Sequence, residues 1–258
     1  MSHSHAAHDP SVREDADTSP AKLGRIKSEH SNPRAPAMIT VHHLESSRSQ
    51  RVLWMLEELG LDYEVRLYKR EPTMQAPASL RAVHPLGKSP VVSDGEVTLA
   101  ESGAILEYLV ETYGNGRFVP APGTPERLRY RYFLHYAEGS LMPLLFLKLV
   151  FNRLPERVPW AMRPVARAIS AGADHALLAP QISNHFAFLE SELAGRDWFA
   201  GPDFTAADIQ MSFPIEAAAA RAALGDKLPR LEDFVARIQA RPAYKRALEK
   251  GGPYTMLR

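Results

Sequence analysis

Residues 44–60 read "LESSRSQRVLWMLEELG". Val52, Met55, Leu56 and Leu59 recur at i, i+3, i+4 and i+7, one face of a helix, and Gly60 supplies the left-handed residue on which helices stop. This spacing predicts a helix from about Arg48 to Leu59. Upstream, "ITVHHL" (39–44) is rich in β-branched residues and predicts a strand. Downstream, "YEVRLY" (63–68) alternates, with Tyr63, Val65 and Leu67 on one side and Glu64 and Arg66 on the other. A helix between two strands is a crossover, so the strands are expected to be parallel. Ser46, Ser47 and Ser49 stand where the first strand hands over to the helix. Hydroxyls there serve as caps or turn residues, or hold an anion or a thiolate, because a helix N-terminus carries unpaired N–H groups and about half a positive charge.

Further on, "APASLRAV" (76–83) is short and helical or irregular. In "HPLGKSPVVSDGEVTLAESGAILEYLVETYG" (84–114), "PVVS" and "EVTL" flank Asp94-Gly95, a two-residue hairpin signal. A helix follows with Ile105, Leu106, Tyr108 and Leu109 on its buried side. The order β-α-β-α-β-β-α predicts a compact mixed α/β layer domain over 38–115. "GNGRFVPAPGTP" (114–125) is dense in Gly and Pro and supplies a linker, placed at 116–124. From Pro125 to residue 258 the periodicity is helical with no convincing strand, an all-helical second domain. Within it, Thr205 and Asp208 form an N-cap pair and Phe204 with Ile209 fits the hydrophobic staple, a structural device.

The bulk numbers exclude several functions. With 31 basic against 30 acidic residues, the chain lacks the basic excess of a nucleic-acid binder. It has no cysteine, which removes disulfides, thiolate metal sites and a catalytic cysteine. The most apolar run, "LMPLLFLKLVF" (141–151), is about half a membrane span in length and contains Pro143 and Lys148, so it is expected as buried helix or pocket wall. The first 37 residues are polar and aperiodic, without the apolar stretch of a signal peptide. They are expected to be a disordered leader, with a metal-binding tail of His3, His5 and His8 as the alternative.

In four places, and in the right order, the chain resembles a glutathione transferase. These are the serines of "SSRSQRV"; "HPLGKSPVV", similar to the family's Asn-Pro-x-Gly-Lys-x-Pro loop; "LAESGAILEYL", similar to its Glu-Ser-x-Ala-Ile pattern; and the helical domain with its capping box. The "SRSQR" form resembles serine-type bacterial and fungal members. His84 stands where Asn is common in the family, and Ser89 where a β-branched residue is common.

The resemblance implies a thioredoxin-like N-terminal domain before the helical one, and an enzyme that activates glutathione as thiolate for conjugation to a hydrophobic electrophile. Serine-type members place the hydroxyl four residues before an arginine of the first helix, which selects Ser47 before Arg51; a form similar to isomerase-type members leaves Ser46 in contention, and Ser49 is expected inside the helix. The serine is a donor to sulfur, not a base. The resemblance further implies a cis Pro90, backbone pairing at Ser89 with the cysteinyl part of glutathione, Lys88 on the glycine carboxylate, Glu101 on the α-ammonium and Ser102 on the γ-glutamyl carboxylate. Arg48 either raises the local positive potential or is a solvated surface charge. For the second substrate the candidates are His135 and Tyr136, from an aromatic stripe that includes Tyr132, Met142 and Phe146. "NRLPERVPWAMRPVARAI" (152–169) is a lid or an exposed interhelical excursion. No metal, nucleic acid or membrane partner is expected. A cytoplasmic homodimer is.

Peroxidase, disulfide-reductase or isomerase chemistry with glutathione on the same scaffold is the nearest alternative. A binding module without turnover and an unrelated thioredoxin-like chaperone or channel component are the others. The absence of cysteine excludes routes through a protein–glutathione mixed disulfide.

Overall fold

The structure is a computed structural model that describes residues 38–45, 47–71, 73, 75–220 and 228–252. Ser46, one of the three candidate serines, and the segment 1–37 with its three histidines lie outside the described residues.

Strands β1 (Ile39–Leu44), β2 (Tyr63–Tyr68), β3 (Val91–Asp94) and β4 (Val97–Ala100) form one sheet in the order β2-β1-β3-β4. β1 pairs parallel with β2, while β1–β3 and β3–β4 are antiparallel. Helices α1 (Gln50–Leu59), α2 (Ala78–Val83) and α3 (Ser102–Tyr113) complete the thioredoxin-like half. β1 is internal, and its side chains are buried on both faces, His42 and His43 included. α1 buries Val52, Met55, Leu56 and Leu59 and ends on Gly60 at φ 71°, as its spacing predicts. On β2 one assignment changes. Leu67 is 65% exposed, and its neighbour Tyr68 is the buried residue, packed with Leu44, Ala76 and Leu80 on the α2 side of the sheet.

Among the described residues no strand follows β4. α4 (Pro125–Tyr136) starts behind the Gly/Pro linker, with Thr124 Oγ1 accepting from the Arg127 amide. It runs through a π-helical turn, Ala137–Leu141, into α5 (Met142–Arg157). The continuous stretch Pro125–Arg157 is long and apolar enough, by length and composition alone, to cross a membrane. In this fold it packs on the C-terminal helices and walls the cavity described below. Next come α6 (Arg163–Ala173), α7 (Ala179–Glu192), α8 (Ala206–Ala219), α9 (Pro229–Ala240) and α10 (Pro242–Gly251). The 152–169 stretch forms the end of α5, a 3₁₀ turn at Trp160–Met162 and the start of α6.

α8 is buried on every side and is the central post of the helical half. Its entry is the capping box seen in the sequence: Asp208 accepts from the Thr205 amide and hydroxyl, and also from the Phe199 amide. One apolar core runs through both halves, joining Val41, Leu53 and Leu106 to Phe133, Ile209 and Phe234. α1 lies against α10, α3 and α8, so the start of α1 is held from both halves of the fold.

Candidate active site

Ser47 and Ser49 precede the first turn of the helix. α1 begins at Gln50, with Ser49 as its N-cap and Ser47 and Arg48 ahead of it. The predicted start at Arg48 is corrected by local chemistry: Ser47 Oγ accepts from the Ser49 amide at 3.3 Å, a side-chain bond that competes with helical pairing. Ser47 Oγ lies 2.7 Å from Ser49 Oγ and 3.2 Å from Ser89 Oγ. Ser89 donates to the His42 carbonyl at 3.1 Å and accepts from the Leu44 amide at 3.2 Å, which ties its loop to the end of β1.

Behind Ser49 stands His43, 3% exposed, with Nδ1 2.8 Å from Ser49 Oγ. The other side of the ring meets the Gly251 backbone carbonyl at the end of α10. A backbone group that favours the protonated imidazole acts as an acceptor; in the tautomer with its proton on that side, Nδ1 accepts and Ser49 donates to it. Burial pushes the His43 pKa below its ordinary value, and the Gly251 carbonyl works the other way. A Cβ on Gly251 would lie 2.5 Å from Gln50 Oε1, 2.9 Å from Leu53 Cδ1 and 3.4 Å from His43 Cε1, so a side chain here requires the Gln50 and Leu53 side chains to shift.

One turn along, Arg51 is 1% exposed and fans its guanidinium to Glu138 at 2.5 Å, the Gln210 carbonyl at 2.8 Å and Ser102 Oγ at 2.9 Å. Arg48 grips both oxygens of the same Glu138 at 2.9 and 3.0 Å. Its side chain keeps 38% exposure, and its charge is compensated by Glu138. Burial would raise the Glu138 carboxyl, but Arg51 and Arg48 outweigh it and hold it below the ordinary carboxylate range. Both guanidinium groups also lie over the Phe213 ring, at 5.1 and 4.9 Å. Glu138 belongs to the π-helical turn, and nothing in "HYAEGSLM" marked it beyond an acid in an apolar run.

The "HPLGKSP" loop carries Gly87 at φ 55°, where a Cβ would come 2.6 Å from Arg81 Cγ, and the Ser89–Pro90 peptide is cis. Lys88 is exposed. Ser102 opens α3 and is buried; its oxygen accepts from Arg51 and, at 3.3 Å, from Gln210, which leaves its own proton to donate. Glu101 before it is exposed and holds φ 72°, an uncommon conformation for a residue with a side chain.

A cavity of about 500 Å³ opens beside these groups. Ser47, Arg48, Arg70, Arg81, Lys88 and Ser89 form its polar side, and Met142, Leu145, Phe146, Leu149 and Phe213 its apolar wall. The cavity thus brings together Ser47, Lys88 and Ser89, while Glu101 and Ser102 are not among its lining residues. Neither are His135 and Tyr136. His135 is exposed, and Tyr136 is buried among Tyr132, Phe133 and Phe188 with its hydroxyl bonded to His185. The helix heptad turned the other way: Met142 and Phe146 of the same stripe reach the cavity. Among the described residues no group of three or more His, Asp or Glu side chains is placed to hold a metal ion.

The family model for the glutathione S-transferase N-terminal domain matches residues 36–111, and that for the C-terminal domain matches residues 155–242. Glutathione S-transferase 3 of Schizosaccharomyces pombe is 37% identical over 213 residues, covering 83% of this chain and 88% of that one. A crystal structure of a glutathione S-transferase from Actinobacillus pleuropneumoniae superposes with a TM-score of 0.70 at 34% identity, over 86% of this chain and 96% of the other. A sphingomonad glutathione S-transferase solved in complex with glutathione gives 0.62 at 27% identity, over 83% and 98%. The chain belongs to the glutathione S-transferase family.

Proposed function

We propose that this transferase binds glutathione against the turn before α1, with Ser47 donating its hydroxyl proton to the cysteinyl sulfur, and that the thiolate attacks a hydrophobic electrophile lying on the α5 and α8 wall. The observation that carries the choice of serine is the direction of the neighbouring hydroxyls. Ser89 gives its proton to the His42 carbonyl and Ser49 is engaged by His43, whereas the Ser47 proton meets only neighbouring hydroxyls, Ser49 at 2.7 Å and Ser89 at 3.2 Å, so of these three it is the one that can be redirected to sulfur.

Magnitudes favour this reading. A free thiol titrates near 8.5, and lowering it by about two units takes roughly 2.7 kcal/mol. A hydrogen bond to a charged acceptor contributes about 1.5–3 kcal/mol, and a helix start adds up to about 2 in a partly buried site. Arg70, Arg81 and Lys88 around the cavity favour a ligand of net negative charge, which glutathione with its two carboxylates and one ammonium provides. In this reading Lys88 meets the glycine carboxylate, the backbone at Ser89 and Pro90 pairs with the cysteinyl unit, Glu101 meets the α-ammonium, and Ser102 with the first N–H groups of α3 meets the γ-glutamyl carboxylate. The electrophile contacts Met142, Leu145, Phe146, Leu149 and Phe213. A homodimeric, cytoplasmic enzyme completes the reading, on the strength of the family resemblance.

Steady-state turnover of glutathione with a chromogenic aromatic electrophile tests it. Saturable turnover is expected in the wild type, with kcat/KM at neutral pH lowered about a hundredfold in Ser47→Ala and glutathione affinity kept. A Ser47→Ala enzyme as fast as wild type would overturn it.

A further inference from the structure

The thiol proton needs a destination, and the hydrogen bonds behind Ser47 lead to one. Resting on the reading of Ser47 given above, we propose that His43 receives the thiol proton through Ser47 and Ser49, so that the bound thiolate is paired with a buried imidazolium instead of releasing its proton to solvent.

The three groups form an unbroken line: Ser47 Oγ to Ser49 Oγ at 2.7 Å, Ser49 Oγ to His43 Nδ1 at 2.8 Å. All three residues are buried, at 7%, 0% and 3% exposure, which keeps water from competing for these bonds. At rest the Ser47 proton lies between the Ser49 and Ser89 oxygens, at 2.7 and 3.2 Å, and with the ring proton on the Gly251 side Ser49 donates to His43. If Ser47 simply swung its proton to sulfur, two hydroxyl oxygens 2.7 Å apart would face each other with no proton between them.

A concerted shift removes that conflict. The S–H bond breaks and its electron pair stays on sulfur; that proton bonds to Ser47 Oγ. The original Ser47 proton passes to Ser49 Oγ, and the original Ser49 proton passes to His43 Nδ1. Both serines end neutral, and every bond in the line has reversed: His43 donates to Ser49, Ser49 to Ser47, and Ser47 to the thiolate. The imidazolium keeps its second N–H on the Gly251 carbonyl. The net charge of the site is unchanged, and the proton leaves to bulk water when the product departs and the resting direction is restored.

The surroundings suit this role. Ser49 approaches the ring from the start of α1 and Gly251 from the end of α10, and neither is charged. Burial lowers and the Gly251 backbone raises the affinity of His43 for a proton, and a thiolate two hydroxyls away adds a negative charge that favours the imidazolium.

Proton counting tests this on the full chain. Glutathione is added at neutral pH in weak buffer with a pH indicator, thiolate is followed by its ultraviolet absorbance, and S-methylglutathione, which has no thiol to ionise, sets the baseline. The expected result is thiolate formation with far less than one proton released per thiolate. His43→Asn still accepts the Ser49 hydrogen bond through its amide oxygen but holds no proton. Its thiolate fraction is expected to fall about tenfold with glutathione affinity kept. Ser49→Ala, which cuts the line but keeps the imidazole, should fall as far, and the double variant no further. Release of about one proton per thiolate in the wild type, or a wild-type thiolate fraction in His43→Asn, overturns the relay while leaving Ser47 as the donor. No thiolate in the wild type overturns both.

Discussion

Arg51 of α1 and Glu138 of the π-helical turn meet at 2.5 Å, and the guanidinium is 1% exposed. The pair joins the turn that carries Ser47 to the wall that carries Met142 and Phe146, so the two sides of the cavity are positioned by one buried contact. Removing one partner of such a pair leaves a buried charge without compensation. Glu138→Gln is expected to cost about 3–5 kcal/mol in denaturant unfolding, and to lower glutathione affinity as Arg48 loses the same partner. An unfolding midpoint equal to wild type would contradict this.

The same pair sets an acid limit. The Glu138 carboxyl is held below its ordinary value of 4.5, so the unfolded chain takes up its proton first as pH falls. The stability it contributes is fully present above that ordinary value and is lost as pH drops through the lower folded value. Between neutral pH and pH about 3, wild type should therefore lose more stability than Glu138→Gln. Parallel losses in the two proteins would remove Glu138 from the account.

Asp208 governs the second half. It is buried, and burial pushes its carboxyl up to about 6 against the pull of its hydrogen bonds to the Phe199 and Thr205 amides and the Thr205 hydroxyl. Asp208→Asn replaces one acceptor oxygen by a donor and leaves an amide without a partner. It should destabilise by about 1–3 kcal/mol while the catalytic constants of the folded fraction stay near wild type. Loss of turnover in fully folded Asp208→Asn would assign this residue a part in the chemistry.

Much of this architecture was legible in the chain. The period of Val52, Met55, Leu56 and Leu59, the Asp94-Gly95 hairpin and the Thr205–Asp208 box are local signals, and local backbone chemistry decides them. What was not legible depends on distant partners. His42 and His43 looked like ordinary strand residues, because the Tyr68 and Ser93 that bond His42 and the Gly251 that meets His43 are remote in sequence. The fan of Arg51 reaches residues 51 to 159 positions away. The aromatic stripe of α4 failed as a guide to the cavity for a related reason: periodicity identifies a buried face but not whether it meets core or ligand. Tyr136 met core, and Met142 and Phe146, beyond the π-helical turn that shifts the register, met the cavity.

That shift makes a prediction about the electrophile. Phe146 is 58% exposed and lines the cavity, while His135 is exposed elsewhere. Phe146→Ala should raise KM for a large aromatic electrophile about tenfold without changing the affinity for glutathione, and His135→Ala should change neither. The opposite ranking would place the second substrate on α4.

The most direct test of Ser47 as thiolate donor is a pH titration of glutathione thiolate absorbance on the purified protein, wild type beside Ser47→Ala. The account predicts that bound thiol ionises about two units below the free value near 8.5 in wild type, and that this shift disappears in Ser47→Ala while glutathione still binds. A shift that survives the substitution would contradict it and move the sulfur to another hydroxyl.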